Sequence, residues 1–178
     1  MPVGWQKHQS RGAAGKTTRG KNMNLKNYSS TVPVETTITR IEQYLIGTGL
    51  VSGIGKEYTT GTNPVVKSIG FQIEYEPGKL PLTVKLSAKV NECADFFWKE
   101  HCASARRNRR VKEDFMEQAA RTAWRLQEDD VRVQTSLIML KQRTVVEAFM
   151  ASIWDGERTF YQRIKDSGFK QLGPPKAE

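Results

Sequence analysis

Val65-Val-Lys-Ser-Ile-Gly-Phe-Gln-Ile-Glu-Tyr-Glu-Pro-Gly-Lys-Leu-Pro-Leu-Thr-Val-Lys-Leu86 is the stretch that sets the fold class. Val65, Ile69, Phe71, Ile73 and Tyr75 fall on or near one face of an extended segment, the two-residue period of a half-buried strand. Pro77-Gly78 is a turn pair. Leu82, Val84 and Leu86 then resume the alternation, so the stretch reads as two strands joined as a hairpin. Upstream, Thr60-Gly-Thr-Asn-Pro64 is a turn cluster, and Val51 to Tyr58 reads as another strand. Its Gly53-x-Gly55 is a fragment of a dinucleotide fingerprint, but a bulge or a close backbone approach suits it better.

Further out the period changes. Ile38, Ile41, Leu45 and Ile46 recur at helical spacing over Glu35 to Ile46, and Gly47 and Gly49 stop that helix. Tyr28-Ser-Ser-Thr-Val-Pro33 is β-rich and ends at a proline, as a first or edge strand does. Downstream, Val90 to Ala105 reads as a helix and Arg106 to Arg110 as an interruption. A long helix from about Val111 to Arg143 follows. Its expected apolar stripe is Val111, Phe115, Ala119, Thr122, Leu126, Val133, Leu137 and Leu140, widened by Met116, Ala120, Trp124 and Ile138. Such a helix spans about 50 Å, long enough to kink or to serve as a homo-oligomer interface. Val145 to Ile153 and Arg158 to Asp166 read as short closing elements. The expected fold class is α+β: an antiparallel sheet in the order β-α-β-β-β, covered on one face by C-terminal helices, one of them long. The α-β-β-β-α portion is the element order of double-stranded-RNA-binding domains, an analogy of fold alone.

The chain has 178 residues, 38% of them hydrophobic, with four Trp, seven Phe and five Tyr. That suits one domain, 27–172, between an N-terminal tail, 1–26, and a Pro-rich end, 173–178. The tail carries Lys7, Arg11, Lys16, Arg19, Lys21 and Lys26 and no acidic residue. It therefore holds six of the nine formal positive charges. Charge blocked in this way belongs to a solvated arm that meets a polyanion. Met23 offers an alternative start, which would remove most of the arm.

Several chemistries have little material here. Cys93 and Cys102, nine apart on one expected helix, are too distant for a bridge and read as free buried thiols in a reducing compartment. His8 and His101 are the only histidines, and no zinc spacing results; neither a metal nor another cofactor is expected. No apolar run approaches a membrane span, and no secretory signal is visible, so a cytoplasmic protein is expected. Gly15-Lys16-Thr17 resembles the end of a P-loop, yet Ser10 stands where the first glycine belongs, and no strand precedes it. No nucleophile arrangement appears, so no catalytic residue is assigned and a non-enzymatic role is expected.

Two cationic groups remain. Arg106, Arg107, Arg109, Arg110 and Lys112 place five cations within seven residues. They read either as a phosphate-contacting patch at a helix junction or as a solvated loop offset by Glu113, Asp114 and Glu117. Arg121 and Arg125, one helical turn apart, could grip a phosphate beside a base stacked on Trp124. The competing reading puts Trp124 in the core and pairs the arginines with Glu117, Glu128 or Asp129. Glu128-Asp129-Asp130 reads as a solvated helix face.

Asn27-Tyr-Ser-Ser-Thr-Val-Pro-Val-Glu-Thr-Thr-Ile-Thr-Arg-Ile-Glu42, Gln118-Ala-Ala-Arg-Thr-Ala-Trp-Arg125 and Arg158-Thr-Phe-Tyr161 together resemble a family of small uncharacterised proteins of bacterial prophages and mobile elements. The resemblance covers roughly residues 24–172, and the basic tail departs from it. It carries over no functional residue. It implies an accessory role in a bacterial host cell: handling nucleic acid or countering host defence. Sponge proteins that sequester cyclic nucleotide signals of the Thoeris system are a broadly similar α+β class. The expected function is nucleic-acid binding through the tail and the arginine cluster. The alternatives are sequestration of a cyclic nucleotide, or inhibition of a host defence factor by protein–protein contact.

Overall fold

The computed structural model describes residues 25–27, 29–49, 51–62, 64–76, 78–103 and 110–169. The arm residues Lys7, Arg11, Lys16, Arg19 and Lys21, and Arg106, Arg107 and Arg109 of the cluster, lie outside the described residues. Helix α1 (Val34–Gly47) leads into strands β1 (Val51–Tyr58), β2 (Val66–Ile73) and β3 (Leu82–Ser87). Helices α2 (Val90–Ala103), α3 (Met116–Met139), α4 (Val145–Phe149) and α5 (Phe160–Asp166) follow.

The strands form one antiparallel sheet in the order β1-β2-β3. The register aligns Ile54 with Phe71 and Phe71 with Val84, and likewise Ile69 with Leu86. These apolar residues share the inner face. Glu57, Ser68 and Lys85 occupy the outer one, as the pleat demands. A register shift between Val51 and Gly53 marks the irregularity that the Gly53-x-Gly55 spacing suggested. The protein is therefore α+β.

Helices cover the inner face. Ile38, Ile41 and Leu45 of α1 meet Ile69, Phe71, Ile73, Val84 and Leu86 of the sheet in the main core, with Trp124, Val131, Val145 and Phe149. Phe71 and Phe149 close it edge to face at 5.2 Å. A second core joins Cys93, Ala94 and Phe97 of α2 to Phe115, Ala119 and Ala123. Helix α3 serves both cores, packing against α1 on one side and α2 on the other.

Three expectations are corrected. The segment around Tyr28–Pro33 forms no strand among the described residues. Its carbonyls are taken instead by α3: Thr122 Oγ1 donates to Asn27 O at 3.2 Å and Arg121 Nε to Ser30 O at 3.1 Å. The long helix is shorter than expected, about 36 Å at the usual rise. A 3₁₀ turn, Lys112–Phe115, precedes it, and a Schellman turn ends it. There Lys141 adopts φ 56°, Lys141 N donates to Ile138 O at 2.9 Å and Gln142 N to Leu137 O at 2.9 Å. Its buried stripe also differs. Val111, Val133 and Leu140 are exposed, while Ala123, Val131 and Thr135, outside the expected stripe, are buried, because the helix faces two cores rather than one.

Candidate functional site

Helix α2 ends in an aromatic group. Trp98 and His101, three residues apart, lie one turn apart on the same side of the helix. Their rings stack at 5.9 Å with 29° between planes, and both side chains are half-buried. Arg110 and extended Val111 lead into the 3₁₀ turn. The Asp114 carboxylate accepts from Val111 N at 2.9 Å and fixes that entry. The turn delivers Phe115 beneath the stack, 5.4 Å from the His101 ring and 6.4 Å from Trp98. Arg110 lies over the Phe115 ring at 5.9 Å.

These four side chains form a shelf with two half-buried rings, a buried ring behind them and an exposed guanidinium. Among the described residues, Arg110 meets no carboxylate within ion-pair distance. Its neighbour Lys112 is different: its ammonium lies 2.5 Å from Asp95 of α2. Arg110 and Lys112 are thus brought together at the junction that the cluster spans, one with its charge uncompensated and one neutralised.

The second expected group is rearranged. Trp124 is 1% exposed and packs in the main core, so it offers no face to a base. Its stacking role is corrected on that ground. Arg121 pairs with Glu117 and donates to Ser30 O. Arg125 pairs with Glu128, which Arg40 also approaches at 3.8 Å. Glu128 is 3% exposed, so the carboxylate run is not a solvated face. Only Asp130 of the three is exposed. Asp129 takes Lys26 at 2.8 Å and the Asn27 amide at 2.9 Å. Burial works against its charge, yet Lys26, Asn27 and Arg125 more than offset this and hold its pKa below the ordinary value.

The cysteines are both free, Cys93 buried and Cys102 exposed, which corrects the expectation of two buried thiols. Burial, assisted by Glu92, pushes the Cys93 thiol up. The described residues hold no group of three or more His, Cys, Asp or Glu placed for a metal. An open cleft of about 360 Å³ lies at the α3–α4 turn beside Ile138, Lys141 and Arg143, remote in the chain from Arg121 and Arg125. No helix among the described residues is long and apolar enough to cross a membrane.

One cluster was not read from the sequence. On the outer sheet face Glu57 accepts from Ser68 Oγ at 2.6 Å and pairs with Lys85 at 2.8 Å, while Lys85 lies 4.5 Å from the Trp154 ring centre. Lys85, then Ser68, lower the Glu57 pKa to about 2. The available signal was the alternation itself, which puts Glu57, Ser68 and Lys85 on the polar side of three neighbouring strands. With the geometry in place, comparison adds no relative: no family model, no curated protein and no solved structure matches the chain.

Proposed function

We propose that the protein is a non-enzymatic nucleic-acid-binding accessory protein whose contact surface is the α2 end and the basic segment that follows it. The observation that carries this reading is the shelf. Arg110, without a carboxylate partner among the described residues, lies over Phe115, the ring that half-buried Trp98 and His101 also approach, and it is the last residue of the sequence Arg106-Arg-Asn-Arg-Arg110. Guanidinium groups contact phosphates, and partly open aromatic rings accept an unstacked base. The arm at 1–26 adds sequence-independent attraction. The setting implied by the resemblance, the cytoplasm of a bacterial host carrying a prophage or mobile element, suits two free thiols.

Sequestration of a small cyclic nucleotide finds less support, because Arg121 and Arg125 already hold carboxylates and Trp124 is buried. The test is fluorescence anisotropy with labelled single strands and duplexes across a salt series. Arg110→Gln is expected to flatten the log–log salt slope by about 0.7–0.9. Trp98→Ala is expected to weaken single-strand binding by about 1–3 kcal/mol. Binding that is indifferent to salt and to both substitutions would overturn the reading.

A further inference from the structure

Helix α3 carries a seven-residue repeat that the fold covers only in its first half. Ala119, Ala123, Leu126, Asp130, Val133, Leu137 and Leu140 follow one another at alternating steps of four and three, the seam of a helix that lies along another helix. The first part of the seam has its partner: Ala119 and Ala123 close on Cys93, Ala94 and Phe97 of α2 in the second core. Beyond Ala123 the covering helix gives out. Leu126 and Leu137 are half-buried, Val133 and Leu140 are 56% and 67% exposed, and among the described residues none of the four belongs to either core. The apolar pattern is thus one continuous line, and only its α2 end is packed.

The charges of the open half are also without partners. Asp130, inside the seam, has Gln134 at 3.4 Å as its one polar side-chain contact among the described residues. Lys141, one residue past Leu140, meets no carboxylate within ion-pair distance among them. A face with an acid near its middle and a base at its end is complementary to itself when reversed. Two copies laid antiparallel about the level of Thr135 set Val133 of each against Leu137 of the other. The same register sets Asp130 of each beside Leu140 and Lys141 of the other. A parallel arrangement would instead oppose Asp130 to Asp130 and Lys141 to Lys141.

From this pattern we infer that the protein forms a twofold homodimer through residues 126–140 of α3, packed antiparallel on the same segment of a second copy. A second copy is the occupant because the acid, the base and the apolar positions they flank all lie on this one face, and a twofold contact uses each pair twice. The seam is only about four turns long, so the dimer belongs in the micromolar range rather than among obligate assemblies. The dimer does not depend on the nucleic-acid reading.

The experiment is sedimentation equilibrium of the full-length chain, nuclease-treated and freed of bound nucleic acid, over a micromolar concentration series. The native chain is expected to pass from monomer to dimer. Leu140→Glu, at a position already exposed, is expected to leave the urea midpoint of dilute protein nearly unchanged and to abolish the dimer. Asp130→Lys and Lys141→Glu are each expected to weaken the dimer about tenfold, because each exchanges two exposed ion pairs for two like-charge contacts. The double variant Asp130→Lys/Lys141→Glu is expected to regain native affinity, as is an equimolar mixture of the two single variants. These charge reversals decide the matter even if Leu140→Glu folds poorly. A monomer at every concentration overturns the dimer, as does self-association indifferent to all three substitutions. A chain that stays monomeric while this face captures a different protein overturns it as well. Weakening by both single reversals with no recovery in the double variant overturns the antiparallel pairing.

Discussion

Three side chains show how local environment sets residue roles. Trp124 fills the junction of α1, α3 and the sheet at 1% exposure, so Trp124→Ala is expected to cost about 3–5 kcal/mol in urea unfolding, through lost burial and an unfilled cavity. Glu128 is buried between Arg125 and Arg40, and removing it leaves two guanidinium groups without their carboxylate. Glu128→Ala is expected to cost about 3–5 kcal/mol by the same measurement, the range for breaking a buried pair from one side. Glu57 behaves differently, being exposed but doubly bonded. Its folded pKa, about 2, lies below the unfolded value of 4.5, so its contribution is complete above pH 4.5 and is lost as pH falls toward 2. Thermal melts across that window are expected to fall more steeply for the native chain than for Glu57→Gln. Parallel curves would remove the linkage.

At the scale of elements, helix ends govern the layout of the C-terminal half. Thr144 and Glu147 form a reciprocal capping box that starts α4, with Glu147 N donating to Thr144 Oγ1 at 3.2 Å and Thr144 N to Glu147 Oε2 at 2.8 Å. Thr144→Ala is expected to destabilise the protein by about 1 kcal/mol in urea unfolding. The Thr-x-x-Glu spacing was present in the sequence, and it separates α3 from α4 more sharply than apolar periodicity does. The preceding stop was not legible, because Lys141 takes a left-handed turn that glycine usually marks. The hairpin was legible because alternation and Pro77-Gly78 are local signals. The segment 25–33 was not: its β-branched residues and proline look like a strand, while Asn27 and Ser30 find partners 91 to 102 residues away on α3. Arg121 and Arg125 were ambiguous for the same reason. Their carboxylates were visible nearby in sequence, but whether Trp124 faced core or solvent depended on a helix with two buried sides.

At the scale of the whole molecule, most central cations among the described residues already have partners. Lys26, Lys56, Lys85, Lys112, Arg121 and Arg125 each meet a carboxylate, and these pairs tie α1 to β1, the sheet to itself and α2 to the turn before α3. Arg110 differs from these: among the described residues it meets no carboxylate, and it lies over Phe115, the ring that half-buried Trp98 and His101 also approach. The overall positive charge by itself attracts any polyanion; the shelf is what would give the attraction a fixed address. The most direct measurement is photocrosslinking of the full chain to a strand carrying a photoreactive base, followed by peptide mass spectrometry. Crosslinks are expected on Trp98, His101 and the peptide containing Arg110. Crosslinks confined to Trp154 and the outer sheet face, or none above those of an unrelated basic protein, would contradict a nucleic-acid interface at the end of α2.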